Sequence, residues 1–203
     1  MTIPQVRVAA EEDRAMVIDT MTLGFACDPF VRWMLPNAAA YLEICPQMTE
    51  AFGGGAIGAG SAYIADKGKA AALWIPPGLE SKDSAIGEIL SANVPAEIQE
   101  DAMAIFAEMD AYHPHDAPCW FLPMIAADPV WLGKGLGGAL MKHALRRVDQ
   151  DRLPAYLESS NQRNISLYQR HGFEVIGEIQ HGSSPVVTPM LRPARELRTG
   201  ANA

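Results

Sequence analysis

Between Trp120 and Phe173 an apolar run, a glycine-rich turn, an amphipathic helix, a second apolar run and a second helix follow one another without interruption. That order is strand, loop, helix, strand, helix. The first run, Trp120-Phe121-Leu122-Pro123-Met124-Ile125-Ala126-Ala127, is short and rich in bulky apolar side chains, which predicts a buried strand. Asp128-Pro129 stops it. After Gly133-Lys134-Gly135-Leu136-Gly137-Gly138, the residues Leu136, Leu140, His143, Ala144 and Val148 recur at helical spacing, so the glycines open a helix. Bare amides at a helix N-terminus, with the positive end of the macrodipole behind them and no Cβ in the way, favour phosphate or pyrophosphate.

Three phosphate-binding patterns compete for this loop. A mononucleotide loop needs Lys followed by Ser or Thr, and Lys134 is followed by Gly135, which excludes it. The dinucleotide pattern G-x-G-x-x-G is matched by Gly133, Gly135 and Gly138, with Glu158 about 20 residues on where a ribose-binding carboxylate belongs. Two features oppose it. Asp128 to Leu132 separate the first glycine from its strand, and too little chain follows Glu158 for the further βα units of a dinucleotide fold.

The third pattern is an acyl-CoA pyrophosphate loop. Val130-Trp131-Leu132-Gly133-Lys134-Gly135-Leu136-Gly137-Gly138-Ala139-Leu140 resembles the loop of the GNAT superfamily of N-acetyltransferases, Gln/Arg-x-x-Gly-x-Gly/Ala, with Gly135 and Gly137 at the glycine positions. Leu157-Glu158-Ser159-Ser160-Asn161-Gln162-Arg163-Asn164 and Leu167-Tyr168-Gln169-Arg170-His171-Gly172-Phe173 are similar to the closing motif of that superfamily. Within it, Asp28-Pro29, Leu73-Trp74-Ile75-Pro76-Pro77-Gly78 and Leu157-Glu158-Ser159 look most like the puromycin N-acetyltransferase branch. One position departs: Leu132 stands where the family carries Gln or Arg, so backbone amides must hold the pyrophosphate without that side chain.

The resemblance implies an α/β fold: one GNAT-like domain over residues 1–192, with a mixed central sheet of about seven strands flanked by helices, and a mobile tail over 193–203. Strands four and five would run parallel and splay. Acetyl-CoA would lie in the gap, its pantetheine amides on the backbone of Ile125, Ala126 and Ala127 and its pyrophosphate on the amides of Gly133, Lys134, Gly135, Leu136, Gly137 and Gly138. Asn161 and Asn164 would contact the same arm. A strand-four amide facing the thioester oxygen is worth roughly 3 kcal/mol in the transition state. Tyr168 stands at the family position of the acid that protonates the departing thiolate; a phenol, with an ordinary pKa of about 10, keeps its proton at neutral pH. Glu158, Asp28, His113 and His115 compete for the role of base, with Glu158 the expected catalytic carboxylate. Phe25, Asp28, Phe30 and Trp33 are the acceptor-pocket candidates.

The implied activity is acetyl transfer to the primary amine of a small molecule. A non-catalytic acyl-CoA-binding or sensing protein is the alternative, made plausible by Leu132. A formal charge of −8 and a pI near 5.1 oppose nucleic acid or an anionic membrane as partner. Cys27, Cys45 and Cys119 are an odd number without a C-x-x-C, which fits a reduced cytoplasm better than a disulfide framework or a zinc knuckle. The start of the chain lacks the basic and apolar segments of a signal peptide, and no apolar stretch reaches membrane-spanning length. A monomer or homodimer is expected. His113-Pro114-His115-Asp116 lacks spacing that would converge on a metal, so no metal is expected.

Elsewhere the pattern predicts a strand at Gln5–Val8, a helix over Ala9–Cys27, a helical turn from Phe30 to Leu35, and a helix from Ala38 to Phe52 ended by Gly53-Gly54-Gly55. Ser61–Ala65 and Ala70–Ile75 read as a hairpin around Asp66-Lys67-Gly68-Lys69. Lys82 to Tyr112 reads as helix divided at Pro95. Phe173–Ile179 and Val186–Leu191 read as a last antiparallel pair of strands.

Overall fold

The computed structural model describes residues 4–79 and 83–195. In chain order the elements are β1 (Val6–Val8), α1 (Arg14–Phe25), α2 (Pro29–Met34), α3 (Ala38–Gly53), α4 (Gly55–Gly58), β2 (Ala62–Ala65), β3 (Ala70–Ile75), α5 (Asp83–Asn93), α6 (Gln99–Tyr112), β4 (Trp120–Ala127), α7 (Leu136–Asp151), β5 (Ala155–Ser159), α8 (Ile165–Arg170), β6 (Glu174–Val175) and β7 (Thr188–Arg192). The strands form one sheet in the order β1-β2-β3-β4-β5-β7-β6. Among the described residues only β4 and β5 pair in parallel. This is the expected single-domain α/β architecture with seven strands.

Local chemistry accounts for most boundaries. Asp28 caps α2 by accepting from the amides of Phe30 and Val31, and Asn37 caps α3 by accepting from those of Ala39 and Ala40. The β2–β3 hairpin turns through Asp66, Lys67 and Gly68, all at positive φ. Lys82 lies outside the described residues; the helix expected from it is seen as α5 and α6, parted at Pro95 by a 3₁₀ turn over Ala96–Ile98. Pro193 to Arg195 are exposed and irregular, and the rest of the expected tail lies outside the described residues.

Helix α3 ends at Gly53, within the glycine triplet as expected; Gly54 stays in the right-handed helical region and α4 follows at once. Gly53 is also a contact residue, since a Cβ there would collide with Leu73 of β3. One expectation is corrected. The strand expected over Phe173–Ile179 is only β6, with Ile179 making an isolated bridge to Val187. Gly177 passes so close to the ring of Tyr112 that no side chain fits, so helix α6 displaces the chain from the sheet edge there.

The sheet is covered on both faces. Leu140, Met141, Ala144 and Val148 of α7 pack with Trp120, Leu157 and Phe173 on one side. Helices α1 to α6 cover the other, with Met21, Ile57, Leu73 and Met124 in one cluster and Phe30, Tyr41, Ile105 and Val187 in a second. His143 sits at a core edge, edge-on to Tyr63 at 5.1 Å. Among the described residues no helix is long and apolar enough to cross a membrane.

Arg192, which the sequence pattern did not single out, is 1% exposed at the end of β7. Its guanidinium lies 2.7 Å from the Asp149 carboxylate, and its Nε donates to the His171 carbonyl at 3.0 Å. One cation therefore ties β7 to the last turn of α7 and the end of α8. Arg192→Met should destabilise the fold by about 2 kcal/mol in urea titration, because it removes the cation beside the partly buried Asp149 and the donor to the His171 carbonyl.

Candidate active site

The site is built on a defect in the sheet. β4 and β5 pair only at Trp120 with Ala155 and Phe121 with Tyr156, although both strands continue beyond. On the other side of β4 the register slips: Ile75 faces Phe121 whereas Leu73 faces Met124, so β4 carries one extra residue. Pro123, with no N–H to give to a ladder, sits in that bulge. The bulge puts two consecutive side chains, Pro123 and Met124, on the same cavity. Beyond it, the Asp128 amide donates to the Lys69 carbonyl. Antiparallel alternation then directs the backbone of Ala126 toward β3 and that of Ile125 and Ala127 toward the gap. The Ala126 side chain abuts α1 at Gly24, where any Cβ would collide with it.

At the mouth of the gap, Asp128 Oδ1 accepts from the Val130 amide and caps a 3₁₀ turn over Pro129–Trp131. Lys69 Nζ lies 3.8 Å from the Trp131 ring centroid, fixing the hairpin to this turn. Gly133 and Gly135 then take φ of +73° and +79°, which only glycine adopts without strain, and nothing crowds either position. Helix α7 starts at Leu136. Ala139 is the first residue whose amide bonds back, to the Gly135 carbonyl, so the Leu136, Gly137 and Gly138 amides precede the helical ladder. Leu132 is 64% exposed at the rim and Lys134 is exposed beside it.

Glu158, near the end of β5, opens on two cavities, one of about 650 Å³ and one of about 90 Å³. Its carboxyl is pushed up to about 8 by burial, partly offset by hydrogen bonds from the Tyr156 hydroxyl and its own backbone amide. Tyr168, on α8, is 5% exposed and packs edge-on to Phe173 at 6.2 Å. Burial, then the negative charge of Asp28, raises its phenol above the ordinary range, so it is a proton donor at neutral pH.

The acceptor-pocket candidates separate. Phe25 and Phe30 line the smaller cavity with Glu158. Trp33 does not; it stacks on Phe30 at 5.9 Å, and its Nε1 donates to Ser183 Oγ at 3.1 Å. Both Asp28 oxygens are occupied, Oδ1 by the α2 amides and Oδ2 by Ser160 Oγ at 2.7 Å. Asp28 thus braces the start of α2 to the end of β5, and burial raises its carboxyl against those bonds. Asn161 Oδ1 accepts from the Arg163 amide and caps the 3₁₀ turn Gln162–Asn164; the Asn164 side chain is exposed.

Of the histidines, His113 lines the larger cavity and lies edge-on to Phe121 and Tyr156, 5.0 Å from each. His115 is exposed, 3.2 Å from Asp110. Among the described residues no cluster of His, Cys, Asp and Glu could hold a metal. Sequence reasoning missed Phe52, Phe106, Met109, Phe121 and Ser160, all of which line the cavities. Phe121 alone carried a signal, since it shares strand parity with the cavity face. The others come from helices and a loop whose approach to β5 has no local signature.

A splayed parallel pair, backbone groups facing the gap and a glycine-rich turn whose amides precede the helical ladder fit an acyltransferase that takes a CoA thioester. The chain matches the Acetyltransferase (GNAT) family over residues 52–173 and belongs to it. It is an acetyl-CoA-dependent N-acetyltransferase. Among solved structures it shares the fold of a Corynebacterium glutamicum protein described as histone acetyltransferase HPA2 and related acetyltransferase, at 24% identity and TM-score 0.67 over 98% of this chain and 100% of that one. Drosophila melanogaster polyamine N-acetyltransferase is similar at 16% identity and TM-score 0.65, covering 93% and 98%. Arylalkylamine N-acetyltransferase 2 from Aedes aegypti is similar at 10% identity and TM-score 0.66, covering 95% and 99%.

The residues present fit the donor: the open β4 edge matches an amide-bearing arm, and the cradle needs no side chain at position 132. Gly135→Ala tests the cradle. A Cβ at φ +79° strains the turn that presents the amides, and acetyl-CoA affinity should fall about tenfold in calorimetric titration.

Proposed function

We propose that the chain transfers the acetyl group of acetyl-CoA to the primary amine of a small molecule by direct attack in a ternary complex. The observation that carries this reading is the position of Glu158: a carboxyl at the junction of two cavities, on the strand that parts from β4. Bound acetyl-CoA supplies the electrophilic thioester carbon and a thiolate leaving group. Glu158 accepts the proton that the amine sheds as its C–N bond forms, and a carboxyl poised near 8 suits that exchange with an ammonium. Tyr168 donates its phenolic proton to the sulfur as the C–S bond breaks. The gap-facing backbone of Ile125 and Ala127 holds the arm, and the Gly133–Gly138 amides hold the pyrophosphate.

Amine N-acetyltransferases among the similar structures support an amine acceptor. The segments Asp28-Pro29, Leu73–Gly78 and Leu157–Ser159 support a place near the puromycin N-acetyltransferase branch. Three unpaired thiols, two of them buried, are in keeping with a cytoplasmic setting. The test is calorimetric titration with acetyl-CoA, with NADH as control, followed by thiol release on a panel of amines. Acetyl-CoA binding with amine-dependent thiol release supports the reading. Binding without release from any amine makes the chain an acyl-CoA sensor.

A further inference from the structure

We propose that the acceptor is an arylalkylamine: a primary amine on a short spacer, its nitrogen at Glu158 and its ring in the larger cavity. This rests on the amine-acceptor reading above. The two cavities share five lining residues, Phe52, Phe106, Met109, Phe121 and Glu158. Three phenyl rings and a thioether therefore form a neck in which Glu158 is the single ionisable group. A cation passing the neck meets ring faces and then the Glu158 carboxyl oxygens, which accept its N–H, so the amine nitrogen stops there.

The smaller cavity runs inward from the neck to Pro123, Met124 and Ser160, at the splay where the thioester must be presented. At about 90 Å³ it accommodates an acetyl group and the amine it meets. It is too small for a ring, since a benzene-sized guest occupies a cavity of about 150 Å³. The body of the acceptor must extend outward. There the larger cavity offers Phe52 and Phe106, stacked 6.1 Å apart, with Ile75, Ile86 and Phe121. Flat apolar walls of this kind favour a ring.

A second ammonium finds little in return. The acids of the larger cavity other than Glu158 are Asp110 and Asp116, both at the exposed rim; the Asp110 side chain is 76% exposed and already beside His115. Carboxylates so solvated discriminate weakly. The larger cavity thus selects for an apolar body rather than a second charge.

The test uses the full chain at saturating acetyl-CoA, with kcat/KM from thiol release for phenethylamine, n-propylamine and putrescine. Phenethylamine should exceed each of the others by about tenfold or more, and Phe106→Ala should bring its ratio to n-propylamine toward one. Putrescine or n-propylamine turned over as well as phenethylamine, or a ratio unmoved by Phe106→Ala, overturns the inference while leaving the amine reading in place. No turnover of any of the three, with acetyl-CoA bound by calorimetry, removes the amine reading and this inference together.

Discussion

Replacing Glu158 with glutamine should lower kcat/KM for the acceptor amine by about a hundredfold, the contribution of a positioned general base. Glutamine keeps the shape and can still bond to Tyr156, but it cannot take a proton. The pH dependence separates this role from a structural one. The wild-type carboxyl is pushed up to about 8, so its base form, and with it the rate, should rise with pH up to that point. In Glu158→Gln the inflection near 8 should disappear, leaving the rise that the acceptor amine's own ionisation produces. The same inflection near 8 in both proteins, measured from pH 6 to 9.5, would exclude Glu158 as the base.

A linked effect on stability has the opposite direction. Native Glu158 holds its proton up to about pH 8, whereas an unfolded chain releases it near 4.5. Between those values the native state binds the extra proton, and stability falls as pH rises. Urea titrations at pH 5 and pH 8 should show a smaller decline for Glu158→Gln than for the wild type.

Tyr168→Phe should lower kcat by about a hundredfold while acetyl-CoA affinity stays within about twofold, because the hydroxyl acts on the departing sulfur and the arm is held by backbone. The phenylalanine ring keeps its packing against Phe173 on the buried α8 face, so the variant should fold. Two readouts decide the case. A fall in kcat without a fall in affinity fits a proton donor, whereas loss of both would mean that the ring positions the donor substrate. An acyl donor with a more acidic thiol should recover part of the lost rate, since its thiolate leaves with less need of a proton. Unchanged kcat would end the acid assignment.

How much of this was legible in the chain depended on the range of the forces involved. The bounds of β4 and the start of α7 could be read from Trp120–Ala127 and Gly133–Gly138, because strand burial and helix opening follow from neighbouring residues. The hairpin at Asp66–Lys69 and the division at Pro95 are local for the same reason. The end of α3 at the glycine triplet was equally local, whereas the close contact of Gly53 with Leu73 was not legible, because it depends on β3 arriving beside the helix. The strand expected over Phe173–Ile179 was cut short by Tyr112, a residue far away in the chain.

The sequence by itself determined the order of strands and helices, the amide cradle and the pairing of Glu158 and Tyr168 in one motif, all carried by short spacings and backbone preferences. Tertiary structure alone decided what surrounds them. Asp28 meets Ser160 across 132 positions, Arg192 closes α7 and α8 onto β7, and Phe52, Phe106 and Phe121 converge on Glu158 from three separate elements. Such contacts arise when distant faces are pressed together to bury apolar surface, and burial has no direction along the chain from which partners could be read.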